Sequence, residues 1–236
     1  MADETATAPG IRDALLTWLA AFVVSNLVGA AVLLAAGYGA ADDPDPPLWL
    51  TAVLQVPLWV VLVGGTVLFS RRKGTGDLTV DMGLRAEPRD AVRGLPIGAV
   101  TQLVLVPLLY VPIFWIFDID PDELDDAARE LTDRASGAGV VVLVLLVVFG
   151  APIVEELFFR GFLMGALDRA FGTGWGLWLS ALFFGLIHFQ PLQFPALVLF
   201  GLVAGLLVHR YGRLGPAIFA HMGFNAVTIT ILLLQE

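Results

Sequence analysis

Seven stretches of this chain are long, apolar and nearly empty of charge. They run from Ala14 to Ala36, Leu48 to Phe69, Gly94 to Phe117, Ala138 to about Ala166, Gly174 to Phe189, Phe194 to Val208 and Leu214 to Leu234. Bilayer hydrocarbon is about 30 Å thick, and about 20 helical residues cross it at 1.5 Å each. Inside lipid each backbone N–H and C=O must find its partner within the protein, which a helix achieves by itself. The expected fold is therefore all-α: a polytopic integral-membrane helical bundle of about seven to eight transmembrane helices. With 58% of its residues hydrophobic and only 15% charged, the chain lies outside the range of ordinary soluble domains. The first run is too long for a cleavable signal peptide and reads as a retained span.

Charge fixes what surrounds the spans. The formal net charge is −9, so the watered surface is acidic and a nucleic-acid partner is excluded. Of the thirteen Lys and Arg residues, Arg129 and Arg134 fall on one side of a seven-span topology, Arg160 lies toward the end of the fourth run, and all the rest fall on the other side. That pattern predicts a multi-pass protein of the cell membrane with a cytoplasmic N-terminus, and seven spans then leave the C-terminus outside. Residues 1–137 read as N-terminal transmembrane helices with an acidic loop helix near 120–135. Its start resembles a capping box, with Asp120 before Pro121 and Glu123. Residues 138–236 read as the core that carries the chemistry.

The reason lies in where ionisable groups enter the membrane. A charge at the centre of a transmembrane helix costs about 2.5–3.5 kcal/mol on insertion scales, and such groups mark wet cavities or bundle interiors. Here they are Glu155, Glu156, Arg160, His188, His209 and His221, with Asn225 as the notable amide; all lie in the C-terminal half. His209 sits beside Arg210 at a span end and is read as an interfacial residue. The others have useful spacing. Fifteen residues separate Glu155 from Ala170, and fifteen separate Thr173 from His188. A hairpin between the fourth and fifth runs thus brings both to one level, roughly 22 Å from the turn. His221 and Asn225, four residues apart, share a helix face, and so do Glu156 and Arg160, which pair with each other. Glu155 is then turned about 100° away. Pro152 removes one backbone hydrogen bond just before this pair and can open the helix.

With no cysteine in the chain, hydrolytic chemistry must come from carboxylate, imidazole or hydroxyl. A carboxylate beside an imidazole can hold and deprotonate water, which casts Glu155 and His188 as a general-base pair. His221 and Asn225 can supply donors to a developing oxyanion. One glutamate with two histidines can also bind zinc, although no H-E-x-x-H helix is present; the spacing leaves both mechanisms open.

E-E-x-x-x-R at Glu155, Glu156 and Arg160, F-x-x-x-H at Phe184 and His188, and H-x-x-x-N at His221 and Asn225 resemble the three motifs of the CPBP family. These are the CAAX-protease and bacteriocin-processing (Abi) intramembrane peptidases. The resemblance covers about Gly139 to Leu234. It implies a glutamate-dependent endopeptidase, similar to type II CAAX prenyl endopeptidases, in a bundle of about eight helices whose cavity opens toward the cytoplasm. It implies that Glu155 and His188 activate water, that His221 and Asn225 stabilise the oxyanion, and that Glu156, Arg160 and Phe184 support the site. No cofactor is expected, with zinc the alternative. The expected partners are the bilayer and a membrane-associated protein or peptide substrate, with or without a lipid. Two other classes fit the same residues: a proton-coupled transporter, and a non-catalytic membrane protein of the immunity or scaffold kind.

Overall fold

The computed structural model of the chain describes residues 8–38, 46–118 and 137–234. The acidic loop helix expected near 120–135 lies outside the described residues. Among the described residues all regular structure is helical: α1 Ile11–Ala35, α2 Leu48–Lys73, the single turn α3 Leu78–Asp81, α4 Pro88–Phe117, α5 Ala138–Phe171, α6 Thr173–Leu186, α7 Phe194–Tyr211 and α8 Gly215–Leu234. Six of these are long and apolar enough to cross a membrane. The polytopic helical bundle expected from the seven runs is the fold observed.

The fifth run departs from expectation. It was read as a span reaching Phe189, but α6 stops at Leu186 after 14 residues. Three local causes end it. The His188 ring nitrogen Nδ1 meets the Phe184 carbonyl at 2.6 Å, a side-chain cap on a carbonyl near the helix end. Phe189 then takes φ +55°, a left-handed conformation that a bulky residue adopts only under constraint. Pro191 blocks a helical conformation at Gln190. The chain turns through residues 187–193, where the Tyr110 hydroxyl of α4 donates to the Leu192 carbonyl, and returns as α7. His188 therefore lies in the connection between α6 and α7 rather than on a helix.

Small residues let the helices meet. Gly94 and Gly98 on α4 form a G-x-x-x-G pair against α8; a Cβ at Gly98 would fall on the Ala220 carbonyl, and one at Gly94 would lie 2.6 Å from the Pro216 carbonyl oxygen. Such close backbone approach is how membrane helices gain packing contacts when lipid supplies no hydrophobic contrast. Through α8 the N-terminal helices are joined to the C-terminal core.

One end of the bundle collects the basic residues. Lys73 at the end of α2 meets Asp13 of α1 at 2.7 Å, and Arg213, between α7 and α8, meets Asp90 at 2.7 Å and Glu87 at 3.1 Å. His209 meets Asp168 at 2.8 Å, and Arg169 donates to the Pro9 carbonyl. Backbone bonds from Leu214 to Gly83 and from Gly215 to Arg85 tie two connections together. The loops that charge alone grouped on one side are thus neighbours in space. His209 belongs to this end, as expected of an interfacial residue.

Candidate active site

Helix α5 is irregular where it matters. A six-residue α-helical segment, Ala151–Glu156, lies between two segments with i→i+5 hydrogen bonds, Val144–Gly150 and Leu157–Met164. Such π segments are uncommon and recur at functional sites. The first has a cause in Pro152. Ala151 N–H bonds back to the Leu146 carbonyl, so the next carbonyl, Val147, would need the N–H that Pro152 lacks. Asn225 of α8 supplies the donor: its Nδ2 reaches the Val147 oxygen at 2.8 Å. In the second segment Ser180 of α6 donates to the Phe159 carbonyl at 3.1 Å. Neighbouring helices thus serve carbonyls that the altered register touches, as a membrane interior requires.

The two glutamates take different surroundings. Glu156 and Arg160 are buried, with their side chains 0% exposed, and Glu156 Oε2 lies 3.3 Å from Arg160 Nε. This is the pair expected from their spacing. The Arg160 guanidinium lies 4.4 Å from the centre of the Phe184 ring, a cation–π contact. None of its three nitrogens has a hydrogen-bond acceptor among the described residues. Glu156 has a second partner that spacing did not reveal: its Oε1 lies 2.9 Å from His221 Nδ1, a residue 65 positions later. Glu155, one residue earlier, is turned toward a cavity of about 470 Å³, with its side chain 19% exposed.

His221 stands between the two carboxylates. With Nδ1 on Glu156, its Nε2 faces Glu155 Oε2 at 3.9 Å, too long for a direct hydrogen bond and suited to a bridging water. His188 lines the same cavity. Among the described residues, however, no hydrogen bond or ion pair joins His188 to Glu155; the imidazole nearest Glu155 is His221. Phe184 organises both rings. Its carbonyl holds His188 Nδ1, its ring meets His188 edge-on with centroids 4.7 Å apart, and it meets His221 at 5.9 Å. The spacing of F-x-x-x-H therefore has a physical basis: carbonyl and ring of one residue orient two imidazoles and a guanidinium.

The sequence reading missed the contribution of α2. Trp59 and Gln55 line the cavity, and a Cβ at Gly150 would collide with the Trp59 ring. Thr51 and Gln55, polar residues inside an apolar run and both on the cavity wall, are the signal the sequence holds for this.

Zinc would need three donors converging on one point about 2 Å from each. Among the described residues no group of three or more His, Asp or Glu side chains is so placed. His188 Nδ1 and His221 Nδ1 are already engaged by Phe184 and Glu156. Both bonds leave the Nε2 nitrogens uncommitted to those partners, and no step is routed through a metal.

Residues 137–227 match the family described as Type II CAAX prenyl endopeptidase Rce1-like. The match takes in all seven motif residues and agrees with the CPBP resemblance read from them. The curated proteins and the solved structures give no match to the chain.

Proposed function

We propose that the protein is an intramembrane endopeptidase of the glutamic type, hydrolysing a peptide bond in a membrane-associated protein or peptide, with residues 138–236 as its catalytic core. The observation that carries this reading is Glu155: a carboxylate open to a cavity of about 470 Å³ inside a membrane helix, with two imidazoles on the cavity wall. Cavities of this size take a short peptide segment rather than an ion.

In the proposed mechanism Glu155 removes a proton from a water held near His188 and His221. The water oxygen attacks the scissile carbonyl, and the C–N bond breaks as Glu155 returns the proton to the leaving nitrogen. The hydrogen bonds support a separate role for each imidazole. His188 Nδ1 donates to the Phe184 carbonyl, leaving Nε2 as an acceptor that orients the water. His221 Nδ1 donates to the Glu156 carboxylate, and its Nε2, once it carries a proton, is the donor proposed for the oxyanion. Asn225 spends one amide proton on Val147, and its second is the one proposed to reach the oxyanion. Glu156 and Arg160 position these groups from behind the cavity wall, and Phe184 does so from the wall itself. The substrate class extends from lipid-modified C-termini of the CAAX type to unmodified membrane-tethered peptides.

The test compares membrane proteomes from cells carrying the intact protein and the Glu155→Ala variant, reading new protein termini. Termini that disappear in the variant and persist with a metal chelator support the reading. Identical termini in both refute it.

A further inference from the structure

The cavity has a direction. Its closed end lies at Phe184, Phe200 and His221, with the buried Glu156–Arg160 pair beyond. From that level the lining residues climb only one way along each helix. On α2 they run from Trp59 to Leu48, away from Lys73; on α5 from Glu155 to Leu143, away from Phe171; on α8 from His221 to Ile229, away from Gly215. Lys73, Phe171 and Gly215 all belong to the basic end described above. Eleven residues of α2 correspond to about 16 Å of helix, so the cavity reaches well toward the opposite end. There Gln55, Gln190 and Thr228 add polar groups to an otherwise apolar wall, the mixture that holds an extended peptide backbone.

Basic residues in short connections mark the cytoplasmic side of a membrane protein. Here those connections, 74–87 and 212–214, are bonded to each other at the end away from the cavity mouth. We propose that the cavity is entered from the extracytoplasmic face, and that its substrate is an unprenylated polypeptide segment presented there by an exported peptide or a membrane protein. This reverses the cytoplasmic opening that the family resemblance implies, and it removes cytoplasmic prenylated C-termini from the substrate class. The substrate clause rests on the endopeptidase reading; the direction of entry does not.

Because the chain has no cysteine, single cysteines report position without a background. Gln190→Cys places one at the cavity mouth and Arg72→Cys one at the basic end. Intact cells are treated with a membrane-impermeant maleimide, and total accessible thiol is measured after lysis in detergent. The expected result is labelling of Gln190→Cys in intact cells at least ten-fold above that of Arg72→Cys, which labels only after lysis. The reverse order overturns the proposal. A second arm uses an anchored reporter whose unprenylated cleavable segment faces either side of the membrane. Cleavage only of the outward-facing reporter, lost in Glu155→Ala, supports the substrate clause, and cleavage only of the inward-facing one overturns it. If neither reporter is cut, the endopeptidase reading fails while the labelling still decides the direction of entry.

Discussion

Replacing Glu156 with Gln keeps the shape of the side chain and an acceptor for His221 Nδ1, but removes the anion that, among the described residues, is paired with Arg160. Both side chains of the pair are fully buried, so water cannot replace the lost partner. The guanidinium already lacks hydrogen-bond acceptors among the described residues, leaving the Phe184 ring at 4.4 Å and the Phe159 ring at 6.0 Å as favourable contacts. Breaking a buried ion pair from one side costs about 3–5 kcal/mol, and a desolvated cation–π contact returns about 2 kcal/mol at most and is present before and after. Glu156→Gln is therefore expected to destabilise the protein by about 3–5 kcal/mol. Adding Arg160→Met removes the stranded charge and fills similar volume, so the double variant should recover most of that loss, with a coupling of about 3 kcal/mol. Reversible unfolding in mixed micelles measures all four corners of the cycle. The recovered fold should still be a poor enzyme, because His221 no longer faces a carboxylate at Nδ1. A Glu156→Gln loss below about 1 kcal/mol, with no coupling to Arg160→Met, would refute the view that a buried charge pair holds the site.

Asn225→Leu strands the Val147 carbonyl beside Pro152 and should cost about 1–3 kcal/mol, measured by the same unfolding assay. Gly98→Ala should cost about 1–3 kcal/mol, because its methyl lands on the Ala220 carbonyl. Gly64→Ala, whose Cβ would meet nothing within 4 Å, should instead stabilise α2 by up to about 1 kcal/mol. Outside the membrane, burial is the largest influence on Asp81 and pushes its carboxyl up. Hydrogen bonds from Ser70, Thr75 and Gly76 together outweigh it and hold the carboxyl below the ordinary range. A carboxyl held low stabilises the fold fully above its unfolded value near about pH 4, and that contribution is lost as pH falls through the lower folded value. Protection factors in 74–81, taken against intrinsic exchange at each pH, should therefore fall below about pH 4 in the intact protein but not in Asp81→Asn.

The parts that were legible from sequence are those governed by local periodicity. Apolar run length set out the helices, and i, i+4 spacing paired Glu156 with Arg160. Equal counts from a hairpin placed Glu155 and His188 on one cavity. What escaped depended on contacts between distant segments or on backbone register. The early end of α6 follows from His188 capping its own helix, which no apolar count reveals. The bond from Glu156 to His221 joins residues far apart in sequence, and it moved the nearest imidazole to Glu155 from His188 to His221. Pro152 signals a missing backbone donor in its helix. That its orphaned carbonyl would engage Asn225, one of the expected oxyanion donors, required the i→i+5 register to be seen.

The central claim is that Glu155 is the base. It is tested most directly by single-turnover cleavage of a lipid-tethered fluorogenic peptide library by purified protein in liposomes, with and without Glu155→Gln. The account predicts a rate constant lower by about 10²–10⁴-fold in a variant that unfolds at the same detergent composition as the intact protein. Cleavage at an undiminished rate by the folded Glu155→Gln variant would contradict it.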